Sequence, residues 1–277
     1  RNHFFDGWQK ARDGKPGHAA FHWTSAVVVD PAEIEAARQD LDARSFAQEY
    51  EAEFLTQSGL VYYAFDRAKH LRADAIYDPQ RTLILCFDFN VQPGAAVAVQ
   101  ELELPPWDNP SGPKHTHSCI VGEVHIPSDS LTSEVCERFH RLFPNHRAPV
   151  LYYGDPSGGK RNTVVQSNDW DMVRENLKRR FADVRDRVGR RAPPIVDSVN
   201  SVNSRLCSAS GICRVAIHPT AAPQTVRDFE GVVWKEDKPD RDIDKSDLLR
   251  THWTDAFRYH IHEAHPYGAS ASRVGVT

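Results

Sequence analysis

Residues 82–104 read TLILCFDFNVQPGAAVAVQELEL, and the rest of the fold can be built outward from them. Five apolar residues, Leu83 to Phe87, run straight into Asp88, as a buried strand does when it reaches the edge of a sheet. Pro93-Gly94 supplies a turn, and a second apolar run follows to Leu104, so the stretch predicts a hairpin. The turn-rich segment PPWDNPSGPKHTH (105–117) leads to SCIVGEVHI (118–126), which predicts a third strand.

Towards the C-terminus the pattern changes to alternating helices and strands. A helix is predicted over 130–143, with Leu131, Val135, Phe139 and Leu142 on one face and Pro144 ending it. VLYYGD (150–155) reads as a buried strand and 168–181 as a polar helix. A weaker strand is expected near Ile195-Val196, a helix over 199–209, and a strand at RVAIH (214–218). KEDKPDRDIDK (235–245) reads as a loop, and 246–263 as a final amphipathic helix carrying Leu249, Trp253, Ala256, Phe257 and His260 on one side. Towards the N-terminus, 20–29 looks strand-like. Asp30-Pro31 opens a helix that breaks near Arg44-Ser45 and ends by Gly59. Three successive strands followed by helix–strand alternation give the order β-β-β-α-β-α, then β-α. This is an α/β class with a mixed sheet, antiparallel first and parallel afterwards, flanked by helices.

Composition bounds the function classes. No apolar stretch approaches the roughly 20 residues a bilayer requires, so no membrane partner is expected. Five cysteines, scattered and never in a CxxC pair, argue against a disulfide framework or a structural zinc site and fit a reducing cytoplasm. A net charge of -4 excludes a uniformly basic nucleic-acid coat while leaving room for one basic face beside an acidic site. The lone methionine is Met172, so Arg1 is not an initiator residue, and a piece of a longer protein is expected.

Three aspartates stand out by position. Asp88 and Asp155 each terminate a predicted buried strand, and Asp255 sits in the last helix one turn beyond Thr251 and His252. Each also suits a turn or a cap. A carboxylate at a buried strand end is costly unless paired, hydrogen-bonded or metal-bound. Carboxylates are hard oxygen donors for Mg²⁺ or Mn²⁺, and two ions sharing them can cleave a phosphodiester.

The segments FDFN, YYGDPSGGK, DSVNSVNSRL and DKSDLLRTHWTDAFRY, in that order across residues 59–265, resemble the nuclease domain of the viral large terminase subunit, of the tailed-bacteriophage type, in the ribonuclease H-like superfamily. RNHFFDGW and the QEYEAEF helix resemble the tail of that subunit's ATPase domain. The resemblance therefore divides the chain into a 1–58 remnant with a linker helix and a 59–277 nuclease domain.

By the same resemblance Asp88, Asp155 and Asp255 hold two Mg²⁺ or Mn²⁺ ions and are the catalytic set. Glu123 on the third strand, His252 and Lys245 are auxiliary candidates. A strand glutamate and a loop lysine also have ordinary structural uses. The implied activity is an endonuclease that cuts double-stranded DNA with little sequence preference during viral genome packaging in the host cytoplasm. The portal and the small terminase subunit are the implied partners.

GDPSGGKR (154–161) nearly matches a phosphate-binding P-loop but has Arg161 where Ser or Thr would hold Mg²⁺, so ATP hydrolysis by this chain is not expected. Lys160 and Arg161 instead become DNA-backbone candidates. So do Lys178, Arg179, Arg180, Arg185 and Arg187, from a stretch 174–191 with eight basic residues against three acidic ones. A solvated helix face explains that stretch equally well. His115/His117 and His260/His262 are spaced too poorly for a zinc site. Two rival readings remain: a Holliday-junction resolvase or transposase on the same core, and a non-catalytic DNA-binding and motor-docking module.

Overall fold

In the computed structural model of the chain, residues 3–53, 59–89, 92–159, 168–236 and 242–267 are described. Lys160 and Arg161 lie outside them.

The hairpin forms as the sequence predicts. β1 (Leu83–Asp88) pairs antiparallel with β2 (Gly94–Leu104), which pairs antiparallel with β3 (His115–Ile126). β4 (Val150–Gly154) then joins β1 in parallel, β5 (Val184–Asp186) extends that side, and β6 (Val215–Ile217) lies parallel to the free edge of β3. Among the described residues the sheet has six strands in the order β5-β4-β1-β2-β3-β6.

Alternation along β1 builds two cores. Leu83, Leu85 and Phe87 face one side, where α5 (Thr132–Leu142) and α6 (Asp169–Lys178) pack. Ile84 and Cys86 face the other, against α7 (Ile195–Leu206), α8 (Pro223–Gly231) and α9 (His252–Ala264). Period-two alternation makes one run of five apolar residues serve both cores, as a strand buried on both faces requires. Gly154 on β4 is there for contact: a Cβ would lie 2.5 Å from the Phe87 carbonyl oxygen and 2.6 Å from the Trp170 ring.

The N-terminal region contains α1 (His3–Arg12), α2 (Pro31–Asp40), α3 (Ala43–Tyr50) and the single turn α4 (Arg67–His70). Asp30 accepts from the Ala32 N–H, as its capping position predicts. The helix break falls at Leu41-Asp42, a few residues before Arg44-Ser45, because Asp42 starts a new helix by accepting from the Arg44 and Ser45 amides. Ala37, Leu41 and Phe46 form a small separate core, against which Tyr267 from the far end of the chain packs.

Several expectations are corrected. Residues 20–29 form no strand: Phe21, Trp23, Val27 and Val28 are exposed, and only a short 3-10 turn (Ser25–Val27) is present. Ile195-Val196 opens α7 rather than forming a strand, and the edge strand is β5 instead, in an arginine-rich stretch with no apolar run to mark it. On α5, Leu131 and Leu142 are exposed while Cys136 joins Val135 and Phe139 in the core. The final helix starts at His252 rather than 246, which leaves Leu249 exposed in the preceding turn. α8 has no counterpart among the sequence expectations.

Candidate active site

Strand parity decides where the first two carboxylates point. Asp88 continues the Ile84/Cys86 face of β1, the face that α9 covers. On β4, Val150 and Tyr152 belong to the opposite core and Tyr153 to the α9 side, so Asp155 emerges on the same side as Asp88. Phe87 pairs with Gly154, so the two aspartates follow at the same level on neighbouring parallel strands.

α9 brings the third. Its N-terminus is fixed from α8, where Asp228 accepts from the Trp253 amide at 3.1 Å and the Thr254 amide at 3.4 Å. Trp253 donates its indole N–H to the Val124 carbonyl, pinning the helix across the sheet. Thr251, just before the helix, takes φ 77°, a left-handed conformation costly for a β-branched residue. Asp255 then sits buried in the first turn, 3% exposed.

The carboxylates are held by specific partners. His252 Nδ1 lies 3.0 Å from Asp88 Oδ2, and its Nε2 lies 2.9 Å from the Leu248 carbonyl. Both ring nitrogens face acceptors, and only the imidazolium donates from both. Burial is the largest influence and opposes that charge, but the Asp88 contact, the Leu248 carbonyl and the Asp228 charge together outweigh it, and the His252 pKa is raised. Burial pushes the Asp88 carboxyl above the ordinary carboxylate range and nearby Asp255 adds to this, against the pull of His252 and Lys245.

Asp255 Oδ2 accepts from Lys245 Nζ at 2.9 Å, and its Oδ1 accepts from the Arg258 Nη2 at 3.0 Å. Arg258, itself buried, donates onward to the Ser198 hydroxyl at 2.6 Å. Asp155 Oδ1 accepts from the Ser157 amide at 2.7 Å, an Asx turn of the ordinary kind. Tyr259, one turn beyond Asp255, has its phenol pKa raised first by burial, against the Arg258 charge, with the charges of Asp155, Asp255 and Asp88 adding to the rise, so its hydroxyl lies within the field of all three carboxylates.

Asp88, Asp155, Asp255, His252 and Lys245 are thus brought to one place. Glu123 is not part of it: its carboxylate accepts from the Gln224 and Thr225 amides and the Thr225 hydroxyl, capping α8. The basic stretch is split. The Val150 amide donates to the Asp183 carbonyl, so Lys178, Arg179 and Arg180 lie by the start of β4, about 16 Å of strand away from Asp155. Arg185, on the edge strand, is paired with Asp183, and Arg187 lies further towards the end of the sheet that carries Asp155. Sequence reasoning misses Arg258, Tyr259 and Ser198. Arg258 follows Asp255 at i+3, a spacing that could have flagged it, whereas Ser198 comes from a distant helix.

The donor set is of the right kind for divalent ions: three hard carboxylates, two at strand ends and one on a helix. Among the described residues, however, no three of His, Cys, Asp and Glu close on a single point that could hold an ion. Asp255 has Lys245 and Arg258 as its charge partners instead.

A six-stranded mixed sheet of this order, with helices on both faces and acids at its central strand ends, is an α/β fold. The chain has the fold seen in a phage large terminase. It superposes on crystal forms of the large terminase from the thermophilic bacteriophage D6E with TM-scores of 0.63 and 0.61, at 14% identity, over 94% of this chain. A third D6E structure, in complex with ADP, gives a TM-score of 0.61 at 15% identity over 92% of this chain. The chain spans only 57–59% of the D6E chains' length. No family model matches the sequence, and no curated protein does.

Proposed function

We propose that this chain is a metal-dependent endonuclease that cuts double-stranded DNA with little sequence preference during viral genome packaging. The observation that carries the reading is the convergence of Asp88, Asp155 and Asp255 from two adjacent parallel strands and one crossing helix. The likeness to a phage large terminase supports the setting: the host cytoplasm, with the portal and the small terminase subunit as partners.

Two divalent ions, Mg²⁺ or Mn²⁺, would supply an activated water and stabilise the departing 3′ oxygen of the phosphodiester. Asp88 and Asp155 would hold them, and Asp255 would join once Lys245 leaves its Oδ2. The chain's own groups have definable tasks around that chemistry. His252 fixes the orientation of the Asp88 carboxylate through Nδ1 while Leu248 anchors the ring. Arg258 pairs with one oxygen of the buried Asp255 and leaves the other to Lys245. Lys245, released from Asp255, is placed to meet a phosphate. Sequence-independent binding follows from contacts to the backbone rather than to base edges.

A second reading rests on the same Lys245 and Arg258 contacts. With both oxygens of Asp255 neutralised, the chain is a DNA-binding and motor-docking module whose nuclease is dormant. Incubating supercoiled and linear plasmid with Mg²⁺, Mn²⁺ or EDTA separates the two. Metal-dependent cutting by the wild type that Asp88→Asn and Asp155→Asn abolish is the expected result. Salt-sensitive DNA binding with no cutting under any metal would select the docking module.

A further inference from the structure

Away from the acidic site, the turn that follows α7 carries two cysteines with an unusual relation. Ser208 donates its amide to the Ile212 carbonyl at 3.0 Å, and Gly211 donates to the Ser208 carbonyl at 2.9 Å. Gly211 takes φ 84°, the left-handed conformation that lets so short a turn close. Cys207 and Cys213 are the next residues out on either side of this closure, Cys207 in an extended conformation (φ -156°, ψ 115°). Positions of this kind in an antiparallel pair have Cα atoms about 4.5–5.5 Å apart, within the span that a disulfide bridges. The Cys207 thiol donates to the Ser208 carbonyl at 3.6 Å and the Cys213 thiol to the Gly211 carbonyl at 3.9 Å, so both sulfurs sit over the same turn. Cys207 is partly exposed and Cys213 is buried beneath it.

This turn is also the seat of the N-terminal helices. The Ala209 amide donates to the Leu41 carbonyl at 2.6 Å and the Ser210 amide to the Arg38 carbonyl at 2.9 Å. Ser208 bridges Asp42, whose own amide donates to the Ser204 hydroxyl. Beside it, Arg214 Nη1 donates to the Gln39 carbonyl. The corner between α2 and α3 is thus held on the core largely by backbone bonds to residues 208–210.

We propose that Cys207 and Cys213 are a redox-modification site, forming a reversible disulfide that staples the turn on which α2 and α3 are seated. The co-reactant is a low-molecular-weight disulfide. The Cys207 thiolate attacks one sulfur of oxidised glutathione, forming a mixed disulfide and releasing glutathione, whose thiolate takes up the proton. The Cys213 thiolate then attacks Cys207 Sγ and expels the second glutathione. Two protein thiols are oxidised, and one glutathione disulfide is reduced to two thiols. The order of attack follows from access, since Cys207 is partly exposed and Cys213 is buried, and the nearby Lys69 charge favours the Cys207 thiolate. The other cysteines, Cys86, Cys119 and Cys136, are buried with their thiol pKa values raised by burial, and serve as internal controls.

The test treats the full chain with oxidised glutathione and follows the tryptic peptide of residues 206–214 by mass spectrometry. The expected result is loss of two hydrogen atoms from that peptide, resistance of both cysteines to alkylation, and reversal by dithiothreitol. Cys213→Ser should stop at a stable glutathione adduct on Cys207, and Cys207→Ser should give none. A wild-type peptide that keeps its glutathione, or stays reduced and alkylatable, overturns the proposal. Slower exchange of the Ala209 and Ser210 amides in the oxidised protein is the expected sign of stapling, and unchanged exchange overturns that part of it.

Discussion

Replacing Asp255 by Asn removes one charge from the site, yet its main effect should fall on folding. Asp255 and Arg258 form an ion pair in which each side chain is more than nine-tenths buried, and Arg258's remaining bond goes to a neutral serine hydroxyl. Breaking a buried pair by removing one partner costs about 3–5 kcal/mol, because the other charge is left without compensation. The Asn oxygen still accepts a hydrogen bond from the guanidinium, which returns about 1 kcal/mol. The expected loss is therefore about 2–4 kcal/mol. Asp88→Asn should behave differently: burial already opposes that carboxyl's charge, so a neutral isostere fits, and a change of about 1 kcal/mol or less is expected. Asp155→Asn keeps the acceptor for the Ser157 amide and should also be mild. Urea unfolding followed by tryptophan fluorescence compares the three variants directly. The double variant Asp255→Asn with Arg258→Met should recover part of the loss, since the orphaned charge is gone. Asp255→Asn unfolding within about 0.5 kcal/mol of Asp88→Asn would refute the reasoning. Asp88→Asn and Asp155→Asn are therefore the cleaner probes of cleavage.

Asp228 gives a pH prediction. Burial raises its carboxyl pKa from 3.8 to about 7, and one oxygen has no hydrogen-bond partner among the described residues. A raised folded-state value favours the protonated form, so this contribution is complete below pH 4 and lost as pH rises to 7. Asp228→Asn keeps the acceptor for Trp253 but cannot ionise. Its stability relative to wild type should climb by roughly a few kcal/mol across that window, read from denaturation at each pH. A flat difference would remove Asp228 as the cause. Gly154→Ala drives a methyl against the Phe87 carbonyl and the Trp170 ring, and should cost about 1–3 kcal/mol in a thermal or urea melt. Thr251→Gly relieves the left-handed backbone at the start of α9 and should stabilise the protein by about 1 kcal/mol in the same melt; an unchanged or lower midpoint would count against strain at this residue.

The central sheet was legible because its strands carry their own signals. β1 and β4 are short apolar runs ended by an aspartate, and Pro93-Gly94 marks where β2 begins. The same signals located Asp88 and Asp155, while their shared face emerged only from the parallel pairing of β1 with β4. What the sequence hid depends on partners far along the chain. β5 is an edge strand of three residues whose exposed Arg185 and Asp186 give no apolar pattern. Glu123 looked like a site acid, but its role as a cap for α8 needs a helix about a hundred residues away. Asp255 was visible in its motif, whereas the Lys245 and Arg258 charges that engage it required the folded geometry. The basic stretch looked continuous in one dimension, but the α6–β5 connection distributes it over both ends of the sheet.

The three acids lie at positions 88, 155 and 255, and the last is carried by α9, which can settle only after β1, β2 and β4 are in place beneath it. During synthesis the first two carboxylates therefore leave the ribosome long before the third. A nascent chain holds an incomplete set of the three acids until α9 has emerged and packed on the sheet.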